Sequence, residues 1–130
     1  MGKIVHDDVL DGLLNVIKNN ATRISVCETQ PTTYTEATSN KGVSGYKLAI
    51  KTITSANFTG PANGDTSGRK LTKNEDATIT VDVTGSAQHI ALSDSATSKL
   101  LLVTTCTTLA ITAAATITIP AWDMEVADPS

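Results

Sequence analysis

Aromatic residues are scarce in this chain: one tryptophan, two tyrosines and one phenylalanine occur among 130 residues. A hydrophobic core must therefore be built from Val, Ile, Leu, Ala and the methyl groups of Thr. Threonine alone makes up about a sixth of the residues. Because β-branched side chains lose χ1 freedom in helices and pack well on pleated sheets, this composition predicts strands.

Other scarcities exclude classes of function. The formal net charge is −3, no basic patch or Arg-rich arm is present, and few aromatic rings can stack on bases, so we expect no nucleic-acid partner. The apolar runs are too short to cross a bilayer, so we expect no membrane association. No signal-peptide core follows Lys3, so we expect the protein to be made in the cytoplasm. The length is that of a single domain, residues 1–130.

Groups that carry chemistry are equally few. The chain has two histidines, His6 and His89, and neither lies in a triad-like or G-x-S-x-G pattern. His6, Asp7 and Asp8 are adjacent and diverge on a helix, so we expect them to cap it rather than to hold a metal. We predict no catalytic residue, no metal site and no cofactor.

The two cysteines, Cys27 and Cys106, each lie in an apolar, strand-like segment. We expect them to be buried thiols that behave as small hydrophobic residues. A disulfide between them remains open, and it requires the two strands to be neighbours.

Helical spacing is confined to the first twenty residues, and it predicts one amphipathic helix over residues 7–19. Asp7 is the expected N-cap. The expected buried stripe consists of Leu10, Leu13, Leu14 and Ile17. A lone helix ahead of a sheet must place this stripe on the sheet or against another subunit.

From Thr22 the hydrophobic period changes to two, which predicts seven to nine short strands over about residues 22–127. The predicted fold is mainly β: an antiparallel β-sandwich or small barrel, jelly-roll or Ig-like, with one N-terminal α-helix. The polar segment Gln30–Gly42 is expected to be a long surface loop, and Asn57–Asn74 a second long connection, either a hairpin tip or a protruding loop. Leu100–Val103, apolar at every position, is expected to be a central strand covered by the helix or by a second sheet.

Finer expectations concern side chains and strand edges. Lys47 and Lys51 should point into water from a half-buried strand. The sparsely charged segments Thr78–Val83 and Thr116–Ile119 are expected to keep open edges that can pair with another chain. Trp122 is expected to close the core, with the anchoring of a neighbouring subunit as the alternative.

Four segments carry a resemblance to a known group of proteins: His6–Leu14, Asn19–Thr22 leading to the strand of Cys27, Gly64–Lys70 and Ile119–Asp123. Together they resemble short virion proteins of tailed bacteriophages, over nearly the whole chain. The resemblance implies a structural protein of the virion that is present in many copies and performs no chemistry. It carries no binding residues across.

Three hypotheses of function follow. The first is a head decoration or cement protein that binds the major capsid protein and copies of itself. The second is a tail, neck or fibre-base component, and the third is an enzyme or small-ligand-binding module. For a structural role, the candidate partner contacts are Leu10, Leu13, Leu14, Ile17, Arg69, Lys70 and Trp122.

Overall fold

The computed structural model describes residues 2–129. Its helices are α1 (Asp7–Asn20) and α2 (Tyr34–Thr38), with a short 3-10 helix at Ser55–Asn57. Its strands are β1 (Arg23–Cys27), β2 (Lys47–Thr52), β3 (Phe58–Asn63), β4 (Arg69–Lys73), β5 (Asp76–Thr80), β6 (Gly85–Asp94), β7 (Lys99–Ile111), β8 (Thr116–Ile119) and β9 (Trp122–Val126). The chain is 49% strand and 17% helix, so the predicted mainly β fold with an N-terminal helix is confirmed.

The strands form three antiparallel sheets. The largest has the order β2-β1-β6-β7, the second β3-β4-β9, and the third pairs β5 with β8. An isolated bridge between Ala49 and Val81 connects β2 to the residue that follows β5. No sheet closes into a barrel within residues 2–129, so of the two predicted architectures the sandwich fits.

The core between the sheets is aliphatic, as the composition predicts. Phe58 is the one aromatic side chain among the buried residues of the described chain. Large apolar side chains that are at most 2% exposed come from five strands and the segment after β2, and they include Ile24, Leu48, Ile53, Leu71, Ile79 and Leu92. Trp122 packs against this core while remaining partly exposed.

Helix α1 begins and ends close to the predicted residues. Its N-cap is His6 rather than Asp7, because the His6 Nδ1 atom accepts the Asp8 amide at 3.1 Å. The side chains of Asp7 and Asp8 instead occupy the first turn, where negative charge is favourable, and Lys18 occupies the last. Helix α1 lies over the second sheet, and the ion pair between Asp11 and β4 holds it there.

The expectation that Gln30–Gly42 is only a loop is wrong, because it contains α2. The Thr33 hydroxyl accepts the Glu36 amide at 3.2 Å, and the Glu36 carboxylate accepts the Thr32 amide at 2.7 Å. This reciprocal capping resembles the S/T-x-x-E signature, which the sequence carries at Thr33–Glu36. Burial of Ala37 at 0% exposure anchors this single turn and a half of helix to the body.

Asn57–Asn74 forms the hairpin of β3 and β4, so of the two alternatives the hairpin is correct, although most of the segment is strand rather than tip. Only residues 64–68 form its tip, where the Gly64 amide donates to the Gly68 carbonyl at 2.9 Å. Gly68 has a φ of +70°, and a Cβ there would lie 1.9 Å from the Val126 carbonyl oxygen. The close approach of β9 therefore requires glycine at this turn.

The prediction that Leu100–Val103 is a central strand is wrong. It lies in β7, the edge strand of the largest sheet, and its residues are only half-buried. The central positions belong to β1 and β6, where Ile24 and Leu92 are almost fully buried. A continuous apolar run indicates a partly or fully buried strand, but it does not show whether the strand is central or at an edge. Here the run belongs to an edge strand, and that strand packs against the core on one side.

One expectation about exposure is also wrong. Lys47 is buried rather than solvated, because its Nζ atom bonds Asp82 at 2.9 Å. The segments expected to keep open edges form β5 and β8, which pair with each other in a two-stranded sheet. The other edge of β8 has no strand partner within residues 2–129, and its pairing with another chain stays a prediction.

Candidate interaction surfaces

Helix α1 has two apolar faces, of which the body covers one. Leu10 and Leu14 are buried at 4% and 3% exposure, and Ile17 packs partly against the core. Leu13, expected to share this stripe, is 56% exposed. It lies instead with Val9 and Val16, which are 58% and 54% exposed, and we call these three residues the outer stripe.

The helix periodicity explains the division. At 100° per residue, the six apolar positions of α1 cover an arc of about 160°, wider than one packed surface covers. The body takes the side of Leu10 and Leu14, and the outer stripe is left in solvent. Gly12 lies beside it, and a Cβ built there would meet nothing within 4 Å.

Arg69 and Lys70, candidate partner contacts, are engaged within the chain. Arg69 donates to Asp11 through Nε at 2.6 Å and through Nη2 at 3.1 Å. Lys70 bonds Asp65 at 2.6 Å. Hydrogen bonding to Asp11 raises the pKa of Arg69, and hydrogen bonding to Asp65 raises the pKa of Lys70. A role in partner binding remains a prediction for both.

Trp122 and β7 border an apolar opening in the sandwich. Two adjoining hollows of about 210 and about 410 Å³ lie between β7 and β8, and we call them together the open side. Core residues line it: Ala87, Ile90, Cys106, Ile117 and Ile119. The Trp122 Nε1 atom is buried at its end and has no hydrogen-bond acceptor within residues 2–129.

Most of the chain that borders the open side is uncharged, and Asp123 is the one charged residue in the lining of the two hollows. None of the residues between Lys99 and Asp123 is Asp, Glu, Lys, Arg or His. Leu109 projects at the rim of the open side with 59% exposure. The outer edge of β7 has no strand partner within residues 2–129, so the open side presents this edge together with the two hollows.

A hollow of about 480 Å³ lies beside α2 and contains two acids, Glu28 and Glu36. Lys41 binds Glu28 at 2.7 Å and lowers its pKa. The Thr32 amide and hydroxyl lower the pKa of Glu36. Both carboxylates are thus held ionised by fixed partners, and neither has the raised pKa that suits a general acid.

A buried ion pair lies beneath β4. Lys73 and Asp76 are 0% and 1% exposed, and they bond to each other directly. The Asn74 carbonyl accepts from Lys73 at 2.8 Å, and Lys51 approaches Asp76 at 3.2 Å. Since every strong donor and acceptor is matched, this cluster is a structural one.

Both cysteines are free thiols, and β6 separates their strands β1 and β7 in the sheet. Burial raises the pKa of Cys27 to about 12 and also raises that of Cys106. Neither sulfur is therefore an activated nucleophile at neutral pH. Cys106 is only partly buried, contrary to expectation.

Residues 2–129 contain no group of three His, Cys, Asp or Glu side chains placed to hold a metal ion. Neither helix combines the length and hydrophobicity needed to span a bilayer.

Comparison with known proteins does not assign a family. No protein-family model, curated protein or solved structure matches the chain.

Sequence reasoning named Leu13 and Trp122 but missed Val9, Val16 and Leu109. The width of the apolar arc in α1 could have indicated Val9 and Val16. The long uncharged run before Asp123 could have indicated Leu109.

Proposed function

We propose that this chain is a non-enzymatic structural protein of a tailed-bacteriophage virion. Its role would be that of a head decoration or cement subunit that binds the major capsid protein and copies of itself. The resemblance of its sequence to short virion proteins supports the virion setting. The observation that carries a binding role is the open side, where core side chains of β6, β7 and β8 border solvent.

The open side suits a protein partner because covering it buries apolar area and requires little desolvation of charged groups. A contact there removes apolar area from water, worth about 25 cal/mol per Å². Desolvation of charge is the main penalty at polar interfaces, and among the residues that line the open side it falls on Asp123, which already accepts from the Thr72 hydroxyl at 2.6 Å.

A shell does not require each contact to be strong. The hollows are small, so a single copy would bind a capsid subunit weakly. A subunit that also contacts its neighbours binds the lattice through several contacts at once, and effective concentration then raises the overall affinity by about 10²–10⁴.

Immunogold electron microscopy of phage particles from the host that carries the gene tests the setting. Label over the heads supports the proposal. Label confined to tails or necks would overturn the decoration role and favour a tail component. Particles without the chain by mass spectrometry would overturn the virion assignment.

A matched pair of variants tests the surface. Leu109→Asp, at the rim of the open side, should leave folding unchanged because the side chain is 59% exposed, and should weaken rebinding to particles stripped of the protein. Val43→Asp, on a separate loop at 81% exposure, is the control and should rebind fully. Equal rebinding by both variants would remove the open side from the proposal.

A further inference from the structure

We infer that the partner covers the open side with one extended segment, which adds as a β-strand between β7 and β8 and places apolar side chains in the two hollows. The occupant is a segment of another polypeptide that carries aliphatic residues at alternate positions. This inference rests on the proposed function and deepens it, because it states the chemistry of the segment that a capsid subunit would contribute.

The order of the strands leaves one place unfilled. Strand β7 is one end of the largest sheet, and at its other end the bridge between Ala49 and Val81 joins β2 to the pair of β5 and β8. The strand neighbours therefore follow one another in the order β7-β6-β1-β2-β5-β8. The two ends of this series, β7 and β8, both line the hollows that separate them.

The edge of β7 offers hydrogen-bonding groups that suit an extended backbone. Residues Leu102–Thr105 pair one by one with β6, and on the other side β7 has no strand partner within residues 2–129. Alternate N–H and C=O groups of this stretch therefore point toward the open side. A helix satisfies its backbone groups internally and would leave these groups unpaired, whereas an added strand pairs with them.

The chain covers the opposite edge of the same sheet by itself. The Lys41 amide donates to the Lys47 carbonyl of β2 at 3.0 Å. Further along β2, the Asp82 amide donates to the Leu48 carbonyl at 2.7 Å. The edge of β7 has no such cover, and its 13 residues include no proline and no charge after Lys99, which are the usual protections of an exposed edge. A long, unprotected edge of this kind suits pairing with another chain.

The hollows determine which side chains the segment brings. The ladder between β6 and β7 shifts register across residues 106–108, and Cys106 and Thr107 at this shift line both hollows. The core side chains Ile90 and Ile119 line both hollows as well. Because side chains of a strand alternate between its two faces, every second residue of the segment would meet this apolar lining.

Charge restricts one end of the segment. Asp123 lines the hollow of about 410 Å³, and the hydrogen bond from Thr72 holds the pKa of Asp123 below its usual value. The carboxylate is therefore ionised at neutral pH. A basic residue of the segment near Asp123 is attracted, and an acidic one is repelled.

Pairing of two copies through β7 does not fill this place. The β7 strand of a second copy already has β6 on one side, so it has a single free edge. It cannot pair with β7 and β8 together. A segment that belongs to no sheet has both edges free, and this favours an extended segment of another polypeptide.

A tethered probe tests the fit in the full chain. The protein is extended at its C-terminus by a flexible Gly/Ser linker and a probe of about eight residues, in which isoleucine alternates with threonine between terminal lysines. The tether supplies an effective concentration on the order of millimolar, so a weak contact is populated. The control extension has the same composition, but its isoleucines are grouped together, which removes the alternation.

Hydrogen exchange followed by mass spectrometry is the main measurement. The alternating extension should slow exchange at the Leu102–Thr105 amides that point away from β6 by at least about tenfold. It should also raise the melting temperature by roughly 5 °C, and the control extension should do neither. Equal exchange rates in the two extended proteins would overturn strand addition.

Two neighbouring substitutions in the extended protein locate the contact. Thr107→Asp places a charge in the lining of both hollows and should abolish the gain in protection. Thr108→Asp is the matched control, because Thr108 is also exposed but lies outside the lining, and it should retain the gain. Equal protection in both variants would remove the segment from the hollows.

Exchange on intact particles separates this inference from the proposed function. Particles that carry the protein while its Leu102–Thr105 amides exchange as in the free protein would overturn strand addition alone. Protection by the tethered probe in a protein that is absent from particles would overturn the proposed function alone. Protection of the same amides in the unextended protein at about 1 mM, but not at about 1 µM, would assign the edge to a second copy and overturn the partner segment.

Discussion

Replacement of Lys73 by methionine should be the most destabilising single change in the buried ion-pair cluster. Lys73 is fully buried, and its ammonium bonds Asp76 and the Asn74 carbonyl. Methionine fills a similar volume, so the packing loss is small. The main effect is that Asp76, at 1% exposure, loses its nearest cation while it stays buried.

The magnitude follows from what remains around Asp76. Removing one partner of a buried ion pair costs about 3–5 kcal/mol. Lys51 stays 3.2 Å from the Asp76 carboxylate, so we expect the lower end, about 3 kcal/mol. For a chain of this length that loss lowers the melting temperature by roughly 10 °C.

Urea denaturation measures the effect, with two further variants as controls. Lys51→Met removes the exposed partner, whose side chain is 38% exposed, and should cost less than about 1 kcal/mol. Lys73→Met combined with Asp76→Leu removes the unpaired charge and should recover most of the loss. A single Lys73→Met variant as stable as wild type, or a double variant less stable than the single one, would refute this reasoning.

Three further predictions concern thiols, acid and capping. Ellman's reagent at pH 8 should label Cys106 in the native protein and Cys27 only after unfolding, because burial holds the Cys27 pKa near 12; rapid labelling of both would contradict its burial. Hydrogen bonds from Thr97 hold the pKa of Asp94 below its usual value, so its contribution to stability is present above about pH 4 and is lost as the pH falls through the lower, folded pKa. Asp94→Asn should therefore flatten the acid limb of a plot of unfolding free energy against pH, and an unchanged limb would argue against this assignment. Thr33→Ala removes the α2 cap and should cost about 1 kcal/mol in urea denaturation, with little change if α2 contributes nothing to stability.

The local periodicity of the chain determines much of the architecture. The change from helical to alternating spacing near Ala21 places α1 within one residue of its observed end, because that signal depends only on nearby side chains. The Thr-rich, aromatic-poor composition predicts the aliphatic β core, because few aromatic side chains are present to fill it and β-branched residues favour strands. Helix α2 could also have been predicted from the sequence, because its capping residues lie no more than four positions apart.

The candidate surfaces were only partly within reach of the sequence. Leu13 and Trp122 were named, but which apolar face of α1 stays in water depends on where the Arg69–Asp11 ion pair holds the helix. Those two residues are 58 positions apart, so no local pattern records their contact. The long-range pairing of charges thus selects the outer stripe.

Strand order was decided by tertiary structure alone. An apolar run such as Leu100–Val103 has the same pattern whether its strand is central or at an edge, because the pattern records average burial and not neighbours. Lys47 is buried by Asp82, which lies 35 residues further along the chain. Local sequence patterns predict where α1 gives way to strands and which kinds of side chain fill the core, because both depend on neighbouring residues and composition. The three-dimensional pairing of distant segments decides which apolar surfaces remain uncovered, and it is these surfaces that the proposed function uses.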